Sequence, residues 1–391
     1  MSTEAPAPHR APAWILAAIP LSLLAILALL LLAFDLPGLD RNGPPIEKVA
    51  VERTELRPGV IELRVRNDGP DAVRLAQVIV NDAFIAEASL PAEPIGRLHQ
   101  ATVRIPYLWN EGEAYEISLL TSTGVTVGHV IDAAAETPRA DAGFFGLLGL
   151  LGLYVGIIPV LMGMLWLPFA RRTRDSVVRF MLAVTVGLLA FLAVEAVVEG
   201  IDEAGQGAQS FGGASVVALG ALLAYVAMTG VDGWLGRRGR GADGWRIALL
   251  VAIGIGLHNF GEGLAIGGAY AAGALALGAF LVIGFAVHNT TEGLAIVAPI
   301  ARERPSLRSL AGLGLVAGLP VVPGAWIGGL ASNPQITALL LGVGAGAIVQ
   351  VIRQITPALR PAGASRGLEP MIATGLGVGL VLMWGTGLLA G

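Results

Sequence analysis

Two histidines, two asparagines and two glutamates sit in this chain where an apolar helix ordinarily carries no such groups. The first set reads His258-Asn259-Phe260-Gly261-Glu262-Gly263 and the second His288-Asn289-Thr290-Thr291-Glu292-Gly293, thirty positions apart. A charge at the centre of a membrane helix costs about 2.5–3.5 kcal/mol on insertion scales, so such residues usually mark a pathway or a site. On a helix the His and Glu, four apart, share one face, and the Asn three before the Glu borders it. Each helix then offers an imidazole nitrogen, an amide oxygen and a carboxylate oxygen to one region. The chain has no cysteine, so thiolate ligation is excluded. Imidazole with carboxylate suits Zn²⁺, Fe²⁺, Mn²⁺ and similar divalent ions. The expected ligands are His258, Asn259, Glu262, His288, Asn289 and Glu292. A mixed set with a weak amide suits an ion that must leave as well as bind.

Composition explains where these groups work. Of 391 residues 54% are hydrophobic and only 14% charged, against about 25% charged in a soluble domain. Several apolar runs reach the roughly 20 residues that span a bilayer core. The net charge of −4 gives no basic footprint for nucleic acid. The sequence therefore predicts an all-α polytopic membrane protein with an added β-domain, in three parts: an anchor at 1–35, an extracytoplasmic domain at 36–140 and a membrane domain at 141–391.

Residues 14–34 form one long apolar run ending Ala33-Phe34-Asp35, which reads as an uncleaved anchor rather than a cleaved signal peptide. Residues 36–140 are polar and alternate with period two, as in Ile61-Glu62-Leu63-Arg64-Val65-Arg66 before the turn Asn67-Asp68-Gly69-Pro70. Further strands are expected at 73–80, 101–105, 115–120 and 125–131, the pattern of a small antiparallel β-sandwich. His99 and His129 stand alone there and read as structural.

Eight apolar segments follow, near 143–169, 177–199, 211–235, 247–270, 275–299, 309–330, 335–355 and 371–390. Their loops alternate in charge. Arg171, Arg172, Arg174 and Arg179 follow the first segment, Arg237, Arg238, Arg240 and Arg246 the third, Arg302, Arg304 and Arg308 the fifth, and Arg360 and Arg366 the seventh. The loops at 200–210, 271–274 and 331–334 hold no Lys or Arg. By the positive-inside rule the N-terminus is cytoplasmic, and the β-domain and C-terminus lie outside, in a multi-pass protein of the cell (inner) membrane. The fourth and fifth segments are then antiparallel neighbours, with His258 and His288 near the bilayer midplane. Two antiparallel copies approximate a two-fold axis in the membrane plane, where inverted-repeat transporters hold their substrates.

Other polar residues lie within the spans. Glu195 and Glu199, four apart near the outer end of the second segment, read either as an entrance or extra ligands for the ion, or as an acidic helix end continuing into Asp202 and Glu203. Asp232 is expected to pair with Arg237 or Arg238, and Arg353 to snorkel to the inner boundary.

With these residues in place, the fourth segment resembles the fourth helix of the ZIP (Zrt/Irt-like protein) metal transporters, which carries His-Asn-Phe-Pro-(Glu or Asp)-Gly; their fifth carries a related motif ending Pro-Glu-Gly. The resemblance covers 143–391. It implies an eight-helix bundle, divalent-metal uptake toward the cytoplasm between the fourth and fifth helices, and a homodimer. His258, Asn259 and Glu262 match the first motif, and His288, Asn289 and Glu292 the polar positions of the second. The chain departs from the family in three places. Gly261 and Thr291 replace the proline before the Glu. The sixth segment reads Ala317-Gly318-Leu319-Pro320-Val321-Val322-Pro323-Gly324, without the acid that serves a second metal in the family. Gln350, Arg353 and Gln354 precede Pro357 where the family's seventh helix usually ends in an acid.

The expected function is divalent-metal uptake, with Zn²⁺ or Fe²⁺ as substrate, no organic cofactor, and the lipid bilayer and a possible second copy as partners. No GxxxxGK[ST] motif is present to couple it directly to ATP. Two alternatives remain. An intramembrane metalloenzyme would need an open coordination position, and di-metal carboxylate bundles carry Glu-x-x-His rather than the His-x-x-x-Glu found here. A metal sensor would use the outer β-domain as its output. The leading reading is not an enzyme.

Overall fold

The computed structural model describes residues 45–131, 133–206, 209, 212–237, 243–271, 275–330, 333–359 and 369–387, together with 20, 22–27, 29 and 30. The chain divides into two compact units, Met1–Pro45 and Ile46–Gly391. In the first, residues 20, 22–27 and 29–30 are helical. The rest of the expected 14–34 anchor lies outside the described residues.

The second unit begins with seven strands: β1 (Val49–Arg57), β2 (Val60–Asn67), β3 (Leu75–Val80), β4 (Ala83–Phe84), β5 (Gln100–Pro106), β6 (Tyr115–Thr121) and β7 (Thr126–Ile131). They form two antiparallel sheets, β1-β2-β5 and β4-β3-β6-β7. Period-two alternation sends Ile61, Leu63 and Val65 of β2 and Val78 and Val80 of β3 into one shared core. Gly59, at φ 76, is the second central residue of the Pro58-Gly59 turn joining β1 to β2, a place where φ must be positive. The strand pattern was legible except for β1 and the two-residue β4. In β1 a register shift between Val51 and Arg53 breaks the alternation, so Val49 and Leu56 both reach the core although one has an odd number and the other an even one.

The helices are α1 (Ala142–Gly152), α2 (Ile158–Met164), α3 (Leu167–Arg172), α4 (Asp175–Gln206), α5 (Ser215–Arg237), α6 (Asp243–Ala271), α7 (Leu275–Val297), α8 (Leu307–Gly318), α9 (Val321–Leu330), α10 (Pro334–Ile355) and α11 (Pro370–Gly387). Among the described residues seven spans are long and apolar enough to cross a membrane, the architecture of a polytopic membrane protein. The last apolar helix, α11, is shorter.

Two of the spans are jointed. Between α1 and α2 the chain makes a π-turn over Leu153–Ile157, and Pro159, without an N–H, leaves the Val155 carbonyl lacking its usual helical donor. Span six breaks at Leu319–Pro320 between α8 and α9. The two joints cross at glycines: a Cβ on Gly156 would lie 2.2 Å from the Gly318 carbonyl oxygen. Small residues at such crossings let backbones touch where lipid provides no hydrophobic drive. Elsewhere α6 packs along α9, α10 and α7, α7 also packs on α2, α4 lies against α10 and α11, and α5 lies against α10.

The sheets dock on one end of the helices. Arg53 Nη1 donates to the Leu330 carbonyl at the end of α9 (3.0 Å), and Gln209 N donates to Asp68 Oδ2 (2.7 Å), which also meets Lys48 Nζ at 3.1 Å. At the opposite end Arg302 binds Asp175 Oδ1 (2.7 Å) and the carbonyls of Arg171 and Thr173, tying together two of the arginine-rich loops. Asp232 faces Arg246 Nε at 3.5 Å rather than Arg237, because the start of α6 returns beside the end of α5. Arg238, Arg240, Arg360 and Arg366, and the loop residues 207–208, 210–211, 272–274 and 331–332, lie outside the described residues. Arg353 donates to the Tyr225 hydroxyl at 3.0 Å. In the sheets, His129 Nε2 meets Thr54 Oγ1 at 2.8 Å and His99 Nδ1 the Arg97 carbonyl at 3.1 Å.

Candidate metal centre

Neither α6 nor α7 contains a proline, so each motif stays on a continuous helix and its i, i+4 pair stays stacked on one face. The two faces meet. His258 Nε2 lies 3.5 Å from Glu262 Oε1, and His288 Nε2 hydrogen-bonds the same oxygen. The imidazole centroids are 6.3 Å apart. One ligand atom each from His258, Glu262 and His288 falls within 4.8 Å of the others, the one such group among the described residues. All three residues are buried, with no more than 6% of their surface exposed.

Asn259 and Asn289 join the cluster crosswise. Asn289 Nδ2 donates to Glu262 Oε2 (3.0 Å) on the other helix and to the Val155 carbonyl (3.0 Å). Asn259 Nδ2 donates to Glu292 Oε2 (3.2 Å) and to the Ala317 carbonyl (3.2 Å). All six motif residues are thus brought together, in unequal roles. Among the described residues Glu262 is met by three polar side chains and Glu292 by one. The threonines that replace proline back-bond within α7, Thr290 Oγ1 to Ala286 O (3.2 Å) and Thr291 Oγ1 to His288 O (2.6 Å).

Among the described residues, both ring nitrogens of His258, Oδ1 of Asn259 and of Asn289, and Oε1 of Glu292 are buried without a hydrogen-bond partner. Buried polar atoms are ordinarily paired, and each orphan calls for an explanation. Five orphans in one cluster of imidazole, amide and carboxylate atoms match what a divalent ion binds.

A cavity of about 560 Å³ reaches this cluster. Its wall carries His258, Glu262 and His288, and also Glu195, Glu199, Asp202 and Glu203 from α4. Spacings of four, three and one put these four acids on one helix face. Glu195 and Glu199 therefore share a cavity wall with the histidines. Asp202 and Glu203, read from sequence as a helix end, extend the same acidic wall; their spacing from Glu199 was the available signal. Asn259, Asn289 and Glu292 are not on the wall. The Val155 and Ala317 carbonyls were not foreseen, although Pro159 and Pro320 mark the breaks that present them.

No protein-family model matches the chain, and no curated protein matches it in sequence. The function therefore has to be read from the site itself.

Proposed function

We propose that this protein is a divalent-metal transporter of ZIP-like, eight-helix design that carries Zn²⁺ or Fe²⁺ toward the cytoplasm. The observation that carries the reading is the buried His258–Glu262–His288 group, with its three ligand atoms within 4.8 Å, on the wall of an acid-lined cavity in a multi-span bundle. The ion enters from the sheet side, passes Glu203, Asp202, Glu199 and Glu195, and binds His258, Glu262 and His288, with Glu292 supplying further negative charge. The orientation is supported by the arginines at the end away from the sheets, where Arg302 meets Asp175 and the loop after the first span. Negative walls concentrate cations at a cavity. Three protein ligands leave coordination positions for water or an α4 carboxylate, the openness an ion needs to move on.

The hydrogen bond between His288 Nε2 and Glu262 Oε1 places a proton between two atoms that an ion would bridge. Loading releases that proton, because a ligating imidazole must offer a lone pair. The test is uptake of Zn²⁺ into proteoliposomes holding the purified full chain. Glu262→Gln and His288→Ala are expected to stop uptake while the protein still elutes as folded. Uptake at the wild-type rate in both variants rules the assignment out.

A further inference from the structure

We propose that Asn259 and Asn289 are positioning residues whose amide NH₂ groups take the place of a second cation between Glu262 and Glu292, so that the site binds one divalent ion. The inference rests on the transporter reading and adds the number of ions and the task of the amides.

Each amide nitrogen faces two acceptors: Glu292 Oε2 and the Ala317 carbonyl for Asn259, Glu262 Oε2 and the Val155 carbonyl for Asn289. An amide oxygen in that position would confront two sets of lone pairs, so the acceptors themselves decide which end of each amide points there. The positive ends of N–H bonds therefore converge on the two carboxylates from opposite helices. A second cation there would be repelled by them, and admitting it requires an amide to turn or to be replaced.

The carbonyls resist that turn. Val155 sits in the π-turn, where Pro159 has no N–H to give it. Ala317 is in the last turn of α8, just before the break at Leu319–Pro320, where carbonyls lack helical donors. Turning either amide strips a buried carbonyl of its donor. The two joints cross at Gly156 and Gly318, so the amides tie α6 and α7 to the breaks of spans one and six. The facing stretch from Ala317 to Val321 offers no carboxylate to offset a second ion.

The test counts bound Zn²⁺ at saturation on the full chain in detergent, by equilibrium dialysis and elemental analysis. Wild type is expected to hold one ion per chain. Asn259→Asp and Asn289→Asp exchange a donor for a carboxylate and are each expected to hold two. Asn289→Ser removes the wide amide without adding charge and is expected to keep one ion while uptake slows at least severalfold. Two ions in the wild type overturn the proposal and leave the transporter reading standing, as do Asp variants that elute as folded and hold one. Wild-type uptake by Asn289→Ser overturns the positioning role. A wild type that binds no Zn²⁺ overturns the transporter reading itself.

Discussion

Glu262 and Glu292 hold equivalent places in two copies of one motif, on neighbouring helices at the heart of the bundle. Their surroundings differ. Glu262 is contacted by His258, His288 and Asn289, and it lies on the cavity wall beside the acids of α4. Among the described residues Glu292 receives only Asn259, and its Oε1 has no hydrogen-bond partner. His258 and His288 both lean toward Glu262, so the pair of helices shares one hub instead of holding two equal sites. A repeat in sequence supplies matching groups; the packing around them assigns unequal tasks, because buried electrostatics depend on every element that faces a group.

The largest expected effect tests that inequality directly. Glu262→Gln removes the negative charge that both histidines face and turns one carboxylate oxygen into an NH₂ donor, and is expected to reduce Zn²⁺ uptake to background. Glu292→Gln, which keeps an acceptor for Asn259, is expected to slow uptake by about 10–100-fold, the usual cost of disturbing a partner one step out from a ligand. Equal losses in the two variants break the comparison.

Acid comes next. A protonated imidazole cannot ligate, so Zn²⁺ affinity is expected to fall as the pH is lowered. Isothermal titration in buffers of different ionisation enthalpy reads the affinity and the protons released together. Affinity that stays flat as the pH is lowered removes the histidines from the site.

Smaller effects are expected on the α4 wall. Glu195→Gln and Glu199→Gln each weaken the attraction of the cavity for cations. Each should raise the KM for Zn²⁺ by about 3–10-fold at low salt, with less effect at high salt, because an opposite charge in a cleft acts mainly on capture. A fall in maximal rate with unchanged KM would instead make these acids part of the carrying step. The smallest effect belongs to the sheets. Arg53→Ala loses its bond to the Leu330 carbonyl and is expected to cost about 1 kcal/mol or less, with uptake unchanged. It touches neither motif copy and so serves as the control for the comparison, read by thermal unfolding alongside uptake.

Most of the architecture was legible because it rests on local pattern. Seven of the eight apolar runs became helices of membrane length among the described residues, and alternation in Val60–Asn67 became β2. What escaped was non-local or interrupted. β1 was hidden by its register shift. The first and sixth spans read as single helices, since neither the π-turn at Leu153–Ile157 nor the break at Leu319–Pro320 interrupts the apolar run. Asp232 faces Arg246, which the next helix brings back alongside, while Arg238 lies outside the described residues.

The sequence by itself determined the chemistry of the centre: imidazole, amide and carboxylate, no thiolate, on helices long enough to span a bilayer. These are properties of residue type and helical spacing, and they hold wherever the helices go. Only the tertiary structure decided that Glu262 is the hub, that both asparagines turn their NH₂ groups to the opposite glutamate, and that the acids of α4 share a wall with the histidines. Those outcomes depend on which carbonyls and which helix faces arrive from elsewhere in the chain. A buried polar atom takes the partner that packing delivers, and the partners here, Val155, Ala317 and α4, lie far from the motif in sequence.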